Sequence, residues 1–427
     1  MRKDTICVQG GWKPDEKGAV IPPIYQMTSF VFKDSEHALR LFELEEEGYI
    51  YSRINNPTVE ALEKRVAMLE GGVDAVALSS GQAAITHAIL NLAGSGDHVV
   101  ASSSLYGGTI TLFKYTLSSL GIEFTFVDPA DVRNFEKALK PNTKAIYAEI
   151  LANPKNDMPD LEGLAELGKK KGIPTIIDST VGAGFLVNPT KHGINVVVHS
   201  ATKFLSGHGT SIGGTVVDGG NFPWEELPQF GEPDESYHGI VFSEKFGKGA
   251  FAARLRLKLL RDLGSCMSPF NAYLILLGME TLHLRMKRHC DNALKIAKFL
   301  ESHPMVSWVN YPGLESHPFH GRVKKYFNKE DNGKPIGFGA ILGFGVKGGY
   351  EAAKKVIENV KLIKHLANIG DARTLIIHPA STTHQQLSKE EREKAGVSDD
   401  FIRLVVGIEH PDDIIEDLDQ AIRKAHS

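Results

Sequence analysis

The stretch HSATKFLSGHG, residues 199–209, sets Lys203 just past the apolar run INVVVHS, with Ser200 and Thr202 beside it. A solvated surface lysine needs no such company. An amine at the end of a buried strand, flanked by hydroxyls, suits a covalent bond to something phosphorylated. Asp178, which closes PTIIDS, is the second candidate. Alone it reads at least as well as a cap for the next turn. Adjacent strand ends, however, can hold a carboxylate and an amine on opposite sides of one small aromatic ring. Pyridoxal phosphate needs that arrangement, with a lysine on its aldehyde and an aspartate at its ring nitrogen. The carboxylate keeps that nitrogen protonated, because opposite charge favours the charged form.

Further residues fit the same chemistry. SSGQAAITHAI reads as a strand end at Ser80, a glycine and a helix start. The amides of Gly81 and Gln82 then project from a helix N-terminus, which is an anion site. Strand–glycine–helix turns are common, so this signal is weak by itself. No Walker motif or complete dinucleotide fingerprint follows a strand. Tyr106, in SSSLYGGT, could lie flat on a cofactor ring or be an ordinary loop tyrosine. Asn153, in LANP, could bond the ring's phenolic oxygen or start a turn before Pro154. Ser200 and Thr202, taken singly, are as readily turn formers.

These residues must be positioned by elements. AVALSS, HVVASS, EFTFVD, AIYAEIL, PTIIDS, NVVVHS and GGTVVD are short, β-branched and apolar on both faces, as in a covered, mostly parallel sheet. Helical patterns such as LEGLAELGKKKG lie between most of them, which predicts a doubly wound α/β unit. Ligands in such sheets sit at the carboxyl ends of the strands. Ser80, Ser103, Asn153, Asp178 and Ser200 all fall there.

Asn56 and Pro57 predict a helix start, and Gly71–Gly72 its end. The first 56 or so residues lack a period and read as an arm that packs on something else. The run from Ser268 to Pro304 reads as one long helical stretch. Beyond it, GAILGFGV, TLIIHP and IRLVVGIE read as strands, with EAAKKVIENVKLI and PDDIIEDLDQAIRKAH as helices. Ser388 and Glu391 could form a capping box between two of those strands. The expected division is an arm over 1–56, a cofactor domain over 57–265 and a smaller α/β domain over 266–427.

The 427 residues are 42% hydrophobic and 23% charged with net charge −4, which offers no basic field for nucleic acid. No apolar run approaches the roughly 20 residues that span a bilayer. The start MRKDTICVQGGWK has no apolar stretch of a signal peptide, so a cytoplasmic location is expected. Cys7, Cys266 and Cys290 are few and far apart, as reduced thiols are, and fit neither a disulfide frame nor a metal site.

HSATKFLSGHG, SGQAAI, SLYGGT, ANP and YSRINNP occur in an order that resembles the trans-sulfuration (Cys/Met metabolism) family of pyridoxal-phosphate enzymes, over nearly the whole chain. The resemblance implies fold type I, like aspartate aminotransferase. It implies Lys203 as the lysine on the cofactor, Asp178 at the ring nitrogen and Tyr106 stacked on the ring. The phosphate would meet Ser80, Gly81, Gln82, Ser200 and Thr202, with Tyr51 and Arg53 of YSR reaching in from a neighbouring subunit. Arg403 would fork onto the substrate α-carboxylate, a bidentate task. Its alternative is an exposed strand arginine. Asn153, Tyr51 and Thr374 are further implied substrate contacts.

Within the family, SPFNAYLILLGMETLHLRMKRH, GDARTLIIHPASTTHQQL and FPWEELPQFGEPDESYHG look most like the branch that joins O-acetylhomoserine to sulfide. Cystathionine γ-synthase or γ-lyase chemistry is the close alternative, and a non-enzymatic relative of the fold the distant one. A dimer, paired again into a tetramer, is implied. Ser179 and Val405 depart from the family's frequent asparagine and serine, at positions with no proposed catalytic group.

Overall fold

A computed structural model describes residues 1–382, 385 and 396–427. The capping box expected of Ser388 and Glu391 lies outside the described residues. Helix α1 (Pro57–Glu70) begins and ends where its signals put it. The Asn56 side chain accepts from the Thr58 amide, Pro57 opens the helix, and Gly71 closes it in the left-handed region.

Seven strands follow: β1 (Asp74–Leu78), β2 (His98–Ser102), β3 (Glu123–Val127), β4 (Thr143–Glu149), β5 (Thr175–Asp178), β6 (Val196–His199) and β7 (Gly214–Asp218). They form one sheet in the order β1-β7-β6-β5-β4-β2-β3. Only β7 runs against its neighbours. Both faces are covered. Val100, Ile146 and Ile177 join one apolar cluster, while Val99, Tyr147 and Ile176 join the other. That double burial explains why the strands read as continuous apolar runs. Helices α2 (Gly81–Leu90) and α3 (Leu161–Lys171) are two of the elements that cover it.

The chain lays β3 on one side of β2 and β4 on the other, then continues outward through β5 and β6. The reversal between β2 and β4 is the switch point at which such sheets open a crevice. Tyr106 follows β2 and Asn153 follows β4, so both flank it.

The long helical run is two helices, α4 (Pro269–Glu280) and α5 (Leu282–Ser302), broken at Thr281. The second sheet runs β10-β11-β12-β9-β8, drawn from β8 (Val306–Asn310), β9 (Ile341–Val346), β10 (Lys364–His365), β11 (Leu375–Ile377) and β12 (Phe401–Val405). Sequence reading missed β8 and β10. Strand β8 is short and only half-buried, and β10 has two exposed residues, so neither has the apolar pattern of a core strand. Helices α6 (Gly349–Asn359) and α7 (Pro411–Ala425) pack on this sheet, as their patterns predict. The N-terminal arm is less irregular than expected. Lys3–Gln9 and Ser35–Phe42 are short helices, the second capped by the Asp34 side chain, and each is too brief to show a sequence period. Among the described residues, no helix is long and apolar enough to cross a membrane.

One buried side chain fixes the turn that follows β6. Arg285 of α5 donates to the carbonyls of Phe204 at 2.9 Å, Leu205 at 3.3 Å and Gly278 at 2.7 Å. Its burial lowers its pKa to about 10, so the guanidinium stays charged at neutral pH. Replacing it by leucine strands three buried acceptors. Arg285→Leu is expected to cost on the order of 2–4 kcal/mol, read as a lower thermal midpoint. A midpoint equal to the parent's would mean that water satisfies those carbonyls.

Candidate active site

The turn that Arg285 holds carries Lys203. Strand β6 ends at His199, so the lysine sits four residues beyond the strand and not at its last position. Its Nζ donates to Asn368 Oδ1 at 2.5 Å. Gly370, at φ +72°, lets the segment carrying Asn368 lie against this turn, since a Cβ there would meet Phe204 N at 2.5 Å. Burial, then the charge of Arg403, lowers the Lys203 pKa.

An anion cradle faces the lysine. Ser80 caps α2, its Oγ accepting from the Ala83 amide at 3.1 Å. The Ala84 amide bonds the Ser80 carbonyl. That leaves the amides of Gly81 and Gln82 as the open donors of the first turn. Gly81 permits the approach of the Lys203 turn, because a Cβ would lie 2.6 Å from Ser200 Cβ. The Ser200 side chain stands at this meeting point. The Thr202 hydroxyl does not face a ligand freely. It donates to the Gly213 carbonyl at 3.1 Å and accepts from the Gly213 amide at 3.0 Å.

Asp178 ends β5. Its Oδ1 accepts from the Thr180 amide at 2.9 Å and the Thr180 hydroxyl at 2.6 Å. Burial raises its pKa, while the Thr180 bonds and the nearby His199 pull the other way. His199 Nε2 in turn lies 2.8 Å from Glu70 Oε1, both fully buried. Tyr106 is half-exposed at the start of the turn after β2.

Arg403, on the central strand β12, reaches the same space from the second sheet. Nη1 donates to Asn153 Oδ1 at 3.1 Å and Nη2 to the Asn368 carbonyl at 3.3 Å. Its Nε is buried without a partner among the described residues, as is Gln82 Oε1. Burial lowers its pKa to about 10, leaving it a cation at neutral pH.

Ser80, Gly81, Gln82, Tyr106, Asn153, Asp178, Ser200, Thr202, Lys203 and Arg403 therefore share one cavity of about 320 Å³. Three expected residues do not. Thr374 is fully buried elsewhere: its hydroxyl donates to Glu409 at 2.8 Å and accepts from the Gly407 amide at 2.9 Å. Its donor and one acceptor position are engaged there, and Thr374 is not among the residues that line the cavity. Tyr51 and Arg53 lie exposed outside the cavity, with the Arg53 guanidinium 5.2 Å from the Tyr51 ring centre. Sequence reading missed Glu149, Thr180 and Asn368, which also line it. Glu149 closes β4 as Asp178 closes β5, so the same strand-end rule could have found it. Asn368 carries no local signal, because its partners are 165 and 35 residues away.

The residues fit a pyridoxal phosphate. Among the described residues the amine is bonded only to a neutral amide, the helix amides are open, a carboxylate stands nearby, and two buried polar atoms of the cavity lack partners. Fold and site together define a pyridoxal-phosphate-dependent enzyme. The chain belongs to the Cys/Met metabolism PLP-dependent enzymes, the family that matches residues 4–423.

It is 52% identical to the O-acetyl-L-homoserine sulfhydrylase of Leptospira meyeri, over 99% of this chain and 97% of that one. It is 49% identical to O-acetyl-L-homoserine sulfhydrylase 1 of Thermus thermophilus, over 99% and 100%. The homocysteine synthase of Schizosaccharomyces pombe is 49% identical over 99% and 98%. A crystal structure of a Campylobacter jejuni protein described as an O-acetylhomoserine (thiol)-lyase superposes with a TM-score of 0.93 at 42% identity, covering 99% of this chain and all of that one. That protein carries N'-pyridoxyl-lysine-5'-monophosphate at its position 205.

The lowered Lys203 pKa has a sign that can be measured. Between the lowered value and the ordinary lysine value near 10.4, the unfolded chain holds a proton that the folded chain has lost. The lysine's destabilising contribution therefore fades as pH rises through that window. The free amine is also present at lower pH than on a surface lysine. Capture of pyridoxal phosphate by the apoprotein, followed by absorbance, is expected to stay fast below the range in which surface lysines react. A capture rate that tracks an ordinary lysine would refute the depression.

Proposed function

We propose that the protein is a transferase that replaces the γ-acetoxy group of O-acetyl-L-homoserine with sulfide, giving L-homocysteine and acetate in methionine biosynthesis. One observation carries the reading: Arg403 and Lys203 reach a single cavity from two different sheets, each bonded, among the described residues, only to neutral amide groups. An amino-acid substrate brings the α-carboxylate that a buried guanidinium needs. Relatives 49–52% identical over nearly the whole chain carry the sulfhydrylase and homocysteine synthase names, which supports the acetylated substrate and the sulfide.

Pyridoxal phosphate, when bound, supplies an electron-poor ring that makes the α- and β-hydrogens of an amino acid acidic. Lys203 would hold it. Asp178 would meet its ring nitrogen, Tyr106 would cover its face, and Asn153 would bond its phenolic oxygen. The Gly81 and Gln82 amides with the Ser80 and Ser200 hydroxyls would take its phosphate, and Thr202 would join them on turning from Gly213. Once the substrate's own amine has released it, the Lys203 amine, with its depressed pKa, would take the α-proton and return a proton at the β-carbon. Arg403 holds the carboxylate throughout. The γ-carbon loses its bond to the acetate oxygen and gains one to sulfur, and a sulfide proton balances the acetate released.

The reading extends to assembly. Residues 1–56 form an arm, 57–265 the cofactor domain and 266–427 the second domain; the large sheet spans 74–218 and the small one 306–405, which supports that division. Tyr51 and Arg53 reach the phosphate of a neighbouring subunit in a cytoplasmic homodimer, paired again into a tetramer. Their position outside their own chain's cavity supports this, as do exposed apolar residues along the arm, Val20, Ile21, Val31 and Phe42.

The direct test incubates the holoenzyme with O-acetylhomoserine and sulfide and measures homocysteine and acetate. Succinyl- and phosphohomoserine, and cysteine as the thiol, run beside it. Preference for any of those pairs would overturn the assignment. In the same assay Arg403→Ala is expected to raise KM strongly, by about 2–5 kcal/mol of lost binding, with cofactor uptake intact. Amino-acid binding equal to the parent's would place the carboxylate elsewhere.

Assembly has its own test. Arg53→Ala and Lys203→Ala are each expected to be nearly inactive. Mixed dimers refolded from both are expected to recover part of the activity, because one site then combines the intact residue of each chain. Demonstrated mixed dimers without recovery would mean that both residues serve their own chain.

A further inference from the structure

Glu149 is a buried carboxyl group lining this cavity that the proposed reaction does not use. It closes β4 directly beside Asp178 in the parallel register, and strand alternation places Tyr147 and Glu149 on the face shared by Ile176 and Asp178. Its Oε1 accepts from the Tyr106 amide at 2.6 Å. The Asn153 amide faces the same carboxyl group and favours its charged form. Asn153 in turn bonds Arg403 at 3.1 Å. One carboxyl group thus ties together the loop after β2, the loop after β4 and, through Asn153, the guanidinium on the second sheet.

We propose that Glu149 is a positioning residue that sets the Tyr106 ring and the Asn153–Arg403 pair by accepting the Tyr106 amide and facing that of Asn153. It acts as a neutral acceptor, and Asp178 is the member of the pair that carries charge. Two adjacent buried carboxyl groups do not both ionise readily. Asp178 has the hydroxyl and amide of Thr180 and the nearby His199 in its favour. Burial, then the charge of Asp178, holds the Glu149 carboxyl well above the usual carboxylate range. The site thereby confines its negative charge to the strand end that faces Lys203's turn.

The proposal rests on reading this cavity as the cofactor site, and not on the identity of the acyl group or the thiol. Its test begins with pyridoxal phosphate alone. In the holoenzyme, Glu149→Gln keeps a carbonyl acceptor and loses no charge. It is expected to keep the visible circular dichroism band of the cofactor and the pH dependence of that band. Glu149→Ala loses the acceptor of the Tyr106 amide and the group that faces the Asn153 amide. It is expected to reduce the band per bound cofactor by half or more and to raise KM for the amino-acid substrate by about 10-fold, with a smaller change in kcat. Glu149→Asp, one methylene too short, should resemble the alanine variant and replaces it if that protein does not fold.

A purely architectural Glu149 would lower the thermal midpoint of Glu149→Ala and leave the band and KM as in the parent, which would overturn the proposal. A glutamine variant as damaged as the alanine variant would overturn it too, since charge would then be what matters. If the substrate assignment alone is wrong, the dichroism result still stands. If no band forms in the parent, the cofactor reading itself has failed.

Discussion

Burying charge is unfavourable unless something compensates it, and four groups that can carry charge face one cavity at the carboxyl edge of the large sheet. Two are cations, Lys203 and Arg403, and two are carboxyl groups, Asp178 and Glu149. Among the described residues, none of the hydrogen bonds around them pairs opposite charges. The lysine meets an asparagine oxygen, the arginine meets an asparagine oxygen and a main-chain carbonyl, and the carboxyl groups meet amides and a hydroxyl. Each group is solvated by the protein's own dipoles and left open to a charged ligand. Neutral partners of this kind hold geometry without satisfying charge, and so make a receptive site for a phosphate and a carboxylate.

The rest of the fold can be read as what this costs. Neutral partners must be held still, because they have no strong charge attraction to hold them. Arg285 fixes the Lys203 turn by two of its carbonyls, Phe204 and Leu205, and ties it to α4 through the Gly278 carbonyl. The Ser80 cap fixes the open amides of α2. The absence of a side chain at Gly81 and Gly370 lets two segments close on that turn at distances a Cβ would forbid. Both sheets then contribute, since the lysine follows β6 while the arginine lies on β12, and an apolar cluster running from Ile6 to Val405 joins them. Loosening any of these elements would act on the site through position before it acted on chemistry.

What the sequence disclosed follows from the range of the interaction involved. Lys203, Asp178, Gly81 and the seven strands were legible because strand ends and helix starts are written in a few consecutive residues. The N-cap at Asn56 was legible for the same reason. Asn368 was not, since its importance comes from touching Lys203 across 165 residues. Thr374 was assigned by resemblance, and packing shows its hydroxyl already engaged by Glu409 and Gly407. Glu149 was overlooked although its local signal equals that of Asp178. Its meaning depends on the register that places the two side by side.

The two cations differ in what burial does to them, and that difference divides their work. Both lose solvation in the same cavity, and each raises the cost of the other's charge when close enough to be felt, as Arg403 is by Lys203. A lysine responds by giving up its proton more easily, because its ordinary pKa lies only a few units above neutrality. An arginine starts so high that a fall to about 10 leaves it charged at any physiological pH. Burial therefore makes one side chain the readier base and leaves the other a fixed anchor. Exchanging the two types would reverse both properties: a lysine at 403 would be a point charge prone to neutralise, and an arginine at 203 could neither form the covalent bond nor accept a proton. The arrangement of one lysine and one arginine is thus set by the desolvation they share.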